Sequence, residues 1–275
     1  MTETSIKWHS GLGMKVAVMW LVFVVIASVI GPWLSHYLPE TIHWDVMAVG
    51  PSADFWLGTD VMGRDVLVRT LLGGQTSLMV AVVATAVSVI LGVSYGMLSG
   101  FYGGRIDAVM MRIVDVMYAL PFMFLVILLL VFFGQHLWLI FVGIGAYMWL
   151  DMARIVRGQT LALKQQAFVE AAFAMGQKNS RIMSHHILPN LLPVILVYAT
   201  LTIPQVILVE SFLSFLGLGV QEPMTSWGAL VSEGAENMEL APWALLFPGL
   251  FLSLTLLSFN RLGDGLRDYL DPKKT

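Results

Sequence analysis

Few side chains in this chain can carry chemistry, and their spacing limits what that chemistry is. Glu210 lies late in an apolar run, Leu191–Val209, that extends to Phe215, and Asp151 follows a second run, Leu137–Leu150. An acid at membrane depth is costly and should face protein or a water-filled path. Two readings stand for Glu210: a pair with a residue of a partner subunit, or contact with a cationic group moving along such a path. Asp151 stands one helical turn from Arg154, and an ion pair at that spacing is its plain explanation. The two acids lie near opposite ends of the bilayer and cannot meet as a catalytic dyad. His185 and His186 are adjacent and do not share a helix face, so no metal site is expected there. There is no cysteine, which excludes thiol nucleophiles and disulfides. No G-x-x-x-x-G-K-[ST], H-E-x-x-H or G-x-S-x-G occurs, so neither ATP binding nor catalysis by this chain is expected.

The elements that position these residues are membrane spans. The chain is 57% hydrophobic and only 12% charged, against about 25% charged in an average soluble domain. A helix crosses the hydrocarbon core with roughly 20 apolar residues. Six spans are expected: Met14–Leu34, Ser77–Leu98, Val116–Phe133 with Pro121 near its start, Leu137–Leu150 continuing helically toward Leu163, Leu191–Val209, and Pro242–Asn260. Ser99–Asp115 reads as a short loop and Gly217–Ala241 as a Gly-rich acidic loop. Lys15 before Val16–Ile30 imitates a secretory signal, but no small-residue cleavage site follows, so a retained first span is expected. Trp8, Trp33, Trp138, Trp149, Trp227 and Trp243 fit an interfacial belt.

Charge sets the orientation. With a cytoplasmic N-terminus, only Arg64 and Arg69 of the 15 Lys and Arg fall in outside segments. The positive-inside rule therefore places both termini in the cytoplasm. The loop with Glu222, Glu233, Glu236 and Glu239 then lies outside. The chain divides into residues 1–76, a first span and outer segment, and 77–275, the transmembrane core.

The largest inside segment reads Phe168-Val169-Glu170-Ala171-Ala172-Phe173-Ala174-Met175-Gly176 and leads to Leu188-Pro189. Phe168, Ala171, Ala172 and Met175 fall at i, i+3, i+4 and i+7, on one face of a short helix. Its small residues leave that face flat enough for another protein. Gly176 should end the helix, and Pro189 suits the first turn of the next span. Without further information, an interfacial amphipathic connector explains the segment as well.

Glu170-Ala171-Ala172, then Gly176, then Leu188-Pro189, resembles the Glu-Ala-Ala signature of ABC importer permeases. Leu57-Gly58-Thr59-Asp60 with Gly63-Arg64-Asp65 resembles the outer segment of the dipeptide, oligopeptide and nickel permeases, in their C-type subunit. Ser214–Gly219 with Pro223 and Ser226-Trp227-Gly228, and Gly263–Asp268 with Leu270-Asp271-Pro272, resemble the same branch. Asp151–Gly158 and Glu210-Ser211-Phe212 look closest to its oligopeptide members. The resemblance covers nearly all of the chain beyond its first 50 residues or so. The turn and capping chemistry of Gly58, Asp60, Gly63 and Asp65 also stands without any function.

The resemblance implies an all-α polytopic permease subunit in the inner membrane of a bacterium, with a cytoplasmic coupling helix between spans four and five. It implies import of oligopeptides delivered by an outer peptide-binding protein. Phe168, Glu170, Ala171, Ala172, Gly176 and Pro189 would couple to ATPase subunits. Glu210 would stand on the path or its gate, where a peptide's amino terminus could meet it. Asp60, Arg64, Asp65, Glu222 and Trp227 would serve outer docking. The implied partners are a second homologous permease, two ATP-binding subunits that hold ATP and magnesium, the binding protein and the lipid bilayer. No nucleic acid, no metal and no cofactor in this chain are implied. Dipeptide or nickel-chelate import, and a self-sufficient secondary transporter, are the alternatives.

Overall fold

The computed structural model describes residues 9–34, 41–134 and 137–270. Among them the regular elements are helices: α1 (His9–Leu34), α2 (Val66–Tyr102), α3 (Gly104–Ala119), α4 (Phe122–Phe133), α5 (Leu137–Lys164), α6 (Ala167–Ala174), α7 (Asn179–Ile182), α8 (Leu188–Phe215), α9 (Trp227–Glu236) and α10 (Pro242–Leu270). A 3-10 turn, Trp44–Val46, lies before α2, and a π-helical turn, Met183–Ile187, joins α7 to α8. Four helices (α1, α2, the continuous run of α7, the π-helical turn and α8, and α10) are long and apolar enough to cross a membrane, and the pair α3–α4 makes five if counted as one span. The remaining expected crossing is α5, whose uncharged part is the short Leu137–Leu150 run. The chain is an all-α polytopic protein.

Helix α2 starts at Val66 rather than Ser77, because the Asp65 carboxylate caps it by accepting from the Leu67 and Val68 amides. The division between residues 76 and 77 therefore falls inside one continuous helix. Hydropathy hides the early start because Arg69 sits in the first turns, where its charge is met by acids from elsewhere.

The expected loop Ser99–Asp115 is mostly helix too. Gly103, at φ +66, makes the turn, and α3 begins at the next residue. Its charged residues belong to an amphipathic helix. The third span is broken: Leu120 takes extended dihedrals before Pro121, and α3 and α4 meet at 82°. The proline crowds the residue before it and supplies no N–H, so a straight helix cannot pass.

Helices α2 and α5 run side by side in the same direction. Gly92, Gly96 and Gly100 let the backbones touch; a Cβ on Gly96 would lie 2.3 Å from the Ala153 carbonyl oxygen. This is the small-xxx-small packing of membrane helices, where close backbone approach replaces the hydrophobic drive.

The bundle has two distinct ends. At the cap end, residues 41–65 fold over the start of α2 and against α9. Trp243 of α10 ties in by donating its indole N–H to the Thr59 carbonyl at 2.8 Å. The segment Gly217–Ala241 is thus not simply a loop, since it holds α9, capped by Ser226 Oγ accepting from Ala229 N. At the far end lie α6, the start of α1 and the end of α10, where Gly265 faces Met14. One core cluster, around Val80, Ala84, Ile144 and Ile207, lies among α2, α5 and α8. A second, around Val156, Val169, Ala172, Ile182 and Leu191, seats α6 on the far end.

Candidate functional site

Helix α6 is an arm held against the bundle by one face and bare on the other. Val169 and Ala172 are fully buried against Ile182, Ile187 and Leu191. Burying a side chain such as Val169 is worth about 1.5–3 kcal/mol. Phe173 stacks on Phe101 of α2 at 5.8 Å between ring centroids. Phe168, Ala171 and Met175 are exposed at i, i+3 and i+7, with Glu170 and Ala174 beside them. This corrects the expected face in one residue, since Ala172 points into the chain's own core. Four residues on a short helix span more than one face, and only the packing shows which edge turns in. Gly176 ends the arm at φ +73, where its amide bonds the Phe173 carbonyl. Pro189 stands in the first turn of α8, as its missing N–H favours. His186 Nε2 lies 3.1 Å from Gln177 Oε1 and His185 Nδ1 lies 2.7 Å from Ser184 Oγ; among the described residues no group of three metal-ligating side chains forms.

The cap is held by a five-member ion network. Asp60 accepts from Arg64 Nε at 2.7 Å and Arg69 Nη1 at 2.6 Å, and from the Met62 and Arg64 amides. Arg64 reaches Glu222 at 2.8 Å and Glu233 at 2.5 Å, and Arg69 reaches Glu233 at 2.8 Å. Two arginines and three acids thus join residues 41–65, α2 and α9. Burial works against the Arg64 charge, but the Glu222 hydrogen bond and the fields of Asp60 and Glu233 outweigh it and hold its pKa above the ordinary value. The Arg64 hydrogen bond, with the fields of both arginines, holds the Glu222 carboxyl below its usual range. Burial pushes the Asp65 carboxyl up, against the two amides that it caps.

The residues expected at an outer docking surface therefore divide. Asp60 and Arg64 are buried within the network, Asp65 is the cap of α2, and Trp227 is fully buried with its indole donating to the Thr70 carbonyl at 2.9 Å. These shape the cap from beneath, and Trp227 cannot touch a partner. Glu222, with its side chain 69% exposed, is the one that faces outward. Arg69 and Glu233 entered the sequence reading only through the charge count and not as site residues. The signal for them was that Arg64 and Arg69 are the only basic residues assigned to a side that carries so many acids.

Glu210 is fully buried inside this chain. Ser77 Oγ of α2 donates to one carboxylate oxygen at 3.3 Å and Ser214 Oγ to the other at 2.7 Å. Ser77 Oγ in turn accepts the Trp227 amide at 3.1 Å, and Ser214 Oγ lies 3.2 Å from Ser226 Oγ. Glu210 thus joins α8, α2 and the start of α9 through hydroxyls. Both expected readings are corrected: neither a partner subunit nor a passing substrate reaches it in this conformation. Ser77 is the residue sequence reasoning missed, and a serine within an apolar run gives no signal of its own.

The acids near the far end also pair differently from expectation. Arg154 bonds Asp115 of α3 at 2.7 Å and lies 4.0 Å over the Tyr118 ring, while Asp151 accepts the Tyr118 hydroxyl. Arg157 grips Asp107 with two hydrogen bonds of 2.5 and 2.6 Å, and Ser99 donates to the same carboxylate at 2.5 Å. Of the expected tryptophan belt, Trp149 and Trp227 are core residues and Trp33 is fully outward. Trp8 lies outside the described residues.

Residues 92–275 match the family model described as "Binding-protein-dependent transport system inner membrane component". The chain is 52% identical over 92% of its length, and 82% of the relative's, to the "Oligopeptide transport system permease protein OppC" of Haemophilus influenzae. It is 54% identical over 92% of its length, and 84% of the relative's, to the protein so named in Escherichia coli K12. To the "Dipeptide transport system permease protein DppC" of Bacillus subtilis it is 46% identical, over 92% and 79%. Among solved structures, a chain of the MetNI methionine ABC transporter in an inward-facing conformation matches with a TM-score of 0.61 at 18% identity, covering 75% of this chain and 96% of that one. At that identity the match speaks for the fold.

Proposed function

The chain belongs to the family of binding-protein-dependent transport system inner membrane components, and we propose that it is the membrane-spanning permease subunit of an oligopeptide importer driven by separate ATP-binding subunits. The observation that carries this reading is the identity of 52–54% to oligopeptide permeases over 92% of the chain. The bare face of α6 gives it a mechanism. An ATP-binding subunit seats Phe168, Ala171 and Met175, with Glu170 at the edge. ATP and magnesium stay on that subunit. Because Val169 and Ala172 bind α6 to the lower ends of α5 and α8, closure of two ATP-binding subunits moves the bundle as a body. The ligand biases two states of the spans, inward-facing and outward-facing. A second, homologous permease completes the path between the two chains.

In this reading the far end of the bundle is cytoplasmic, with both termini, and the cap faces the binding protein. The concentration of Lys and Arg away from the cap supports that orientation. Glu222 offers the binding protein an exposed charge above the buried network. Dipeptides are the second reading, favoured by the 46% identity to a dipeptide permease.

The test is uptake by the reconstituted four-subunit membrane complex with its binding protein. Labelled penta- and dipeptides are offered with ATP, without ATP, and to this chain alone. ATP-dependent accumulation of the pentapeptide is expected. Accumulation of the dipeptide only would favour the second reading, and uptake by the chain alone would overturn both.

A further inference from the structure

Helix α8 changes the polarity of its outward surface halfway along. Toward the cap end that surface is Leu208 and Phe212, both exposed and apolar. Before them on the same face Tyr198, Leu201, Thr202 and Gln205 fall at i, i+3, i+4 and i+7, within a stretch that holds no charge from Leu188 to Val209. These four and the α5 residues Asp151 and Ile155 wall a groove of about 270 Å³. Asp151 is exposed to it, and the Tyr118–Asp151 and Arg154–Asp115 pairs stand beside it. The groove lies at membrane depth, because Tyr198–Gln205 fall in the middle of the uncharged Leu188–Val209 stretch of α8, with Asp151 toward the far end.

Exposed carboxylate, amide and hydroxyl groups at that depth do not face lipid, since hydrocarbon offers them no partner. The contrast is α1, whose exposed row of Val16, Met19, Phe23, Ile26 and Ile30 is apolar throughout. The charges at the groove (Asp151, Asp115 and Arg154) sum to one negative. We propose that the α5–α8 groove lines the translocation path and takes the cationic amino terminus and backbone amides of an extended peptide in transit. Asp151 faces the ammonium group, Gln205 and Thr202 bond the backbone, and Ile155 and Leu201 accept an apolar side chain. The site rests on the importer reading above, and it gives Asp151 the ammonium contact that burial denies to Glu210.

The chain has no cysteine, so Gln205→Cys and Thr202→Cys each introduce a single thiol. In the reconstituted complex each is treated with water-soluble cationic and anionic thiol reagents, with and without ATP, binding protein and pentapeptide. The complex with the unsubstituted chain is labelled as the background, and its uptake is measured in the same preparation. Reaction at either position is expected, about threefold or more faster with the cationic reagent because the groove carries a net negative charge. Asp151→Asn should erase that preference, and turnover with peptide should slow labelling. Absence of reaction at both thiols, with normal uptake, would mean that lipid or the second permease covers the groove and would overturn the proposal. Labelling that neither peptide nor Asp151→Asn alters would overturn it as well. Loss of uptake in the complex with the unsubstituted chain is a separate result, which refutes the importer reading instead.

Discussion

The Arg64 guanidinium meets the Glu233 carboxylate at 2.5 Å across 169 positions of the chain. That contact pins the segment before α2 to a helix that lies just before the last span. Arg64 is buried and Glu222 is not, so the two ends of the network should respond very differently to truncation. Arg64→Ala leaves Arg69 as the one arginine shared by Asp60 and Glu233, a net negative buried group, and should cost about 3–5 kcal/mol. Glu222→Gln should cost no more than about 1 kcal/mol. Thermal unfolding of the purified complex distinguishes them, and equal effects would show that the network is not load-sharing in this way.

The same network sets an acid limit. Glu222 has a folded-state pKa below its ordinary value, so its contribution is complete above that ordinary value and fades as pH falls through the depressed one. Unfolding temperature should therefore drop on acidification below about pH 4.5, the ordinary value of the group. The Glu222→Gln protein should show a smaller drop over that window.

Glu210 should tolerate the loss of its charge better than the loss of its oxygens. Gln keeps an acceptor for the Ser77 or Ser214 hydroxyl, whereas Leu leaves Ser77 without one and Ser214 with Ser226 Oγ alone. Each stranded buried hydroxyl costs about 1–3 kcal/mol. Glu210→Gln should melt near the parent and Glu210→Leu well below it, as measured in detergent-solubilised protein.

On α6, neighbouring alanines should fail for different reasons. Ala172→Arg buries a charge in the chain's own core and should expose the arm to protease between Lys164 and Arg181. Ala171→Arg leaves the arm folded and should lose the ATP-binding subunits on co-purification. If both variants kept those subunits and coupled uptake, α6 would be a connector only.

A methyl group on Gly96 has nowhere to go, while one on Gly158 meets nothing within 4 Å. Gly96→Ala should destabilise by about 1–3 kcal/mol through overpacking of α2 on α5. Gly158→Ala should be neutral or stabilise by up to about 1 kcal/mol. Unfolding temperatures of the two proteins give the comparison.

The sequence by itself determined what depends on neighbours along the chain. Hydropathy runs placed the spans, Pro189 marked a start, and the helical spacing of Phe168, Ala171 and Met175 marked α6, whereas the break at Pro121 was read as part of one span. Each is a signal carried within a few turns of helix. Its limits came where charge and apolarity share a helix: Arg69 hid the start of α2, and Asp107 made part of α3 read as a loop. Gly92, Gly96 and Gly100 could have been read as a packing stripe, though not for which helix. Tertiary structure alone decided the partners. It turned Ala172 inward, gave Arg154 to Asp115 instead of Asp151, and closed Glu210 among serines from α2 and α8. A side chain's partner at a helix surface is set by which neighbour packs there, and residues 39 and 133 positions apart are joined only when the bundle closes.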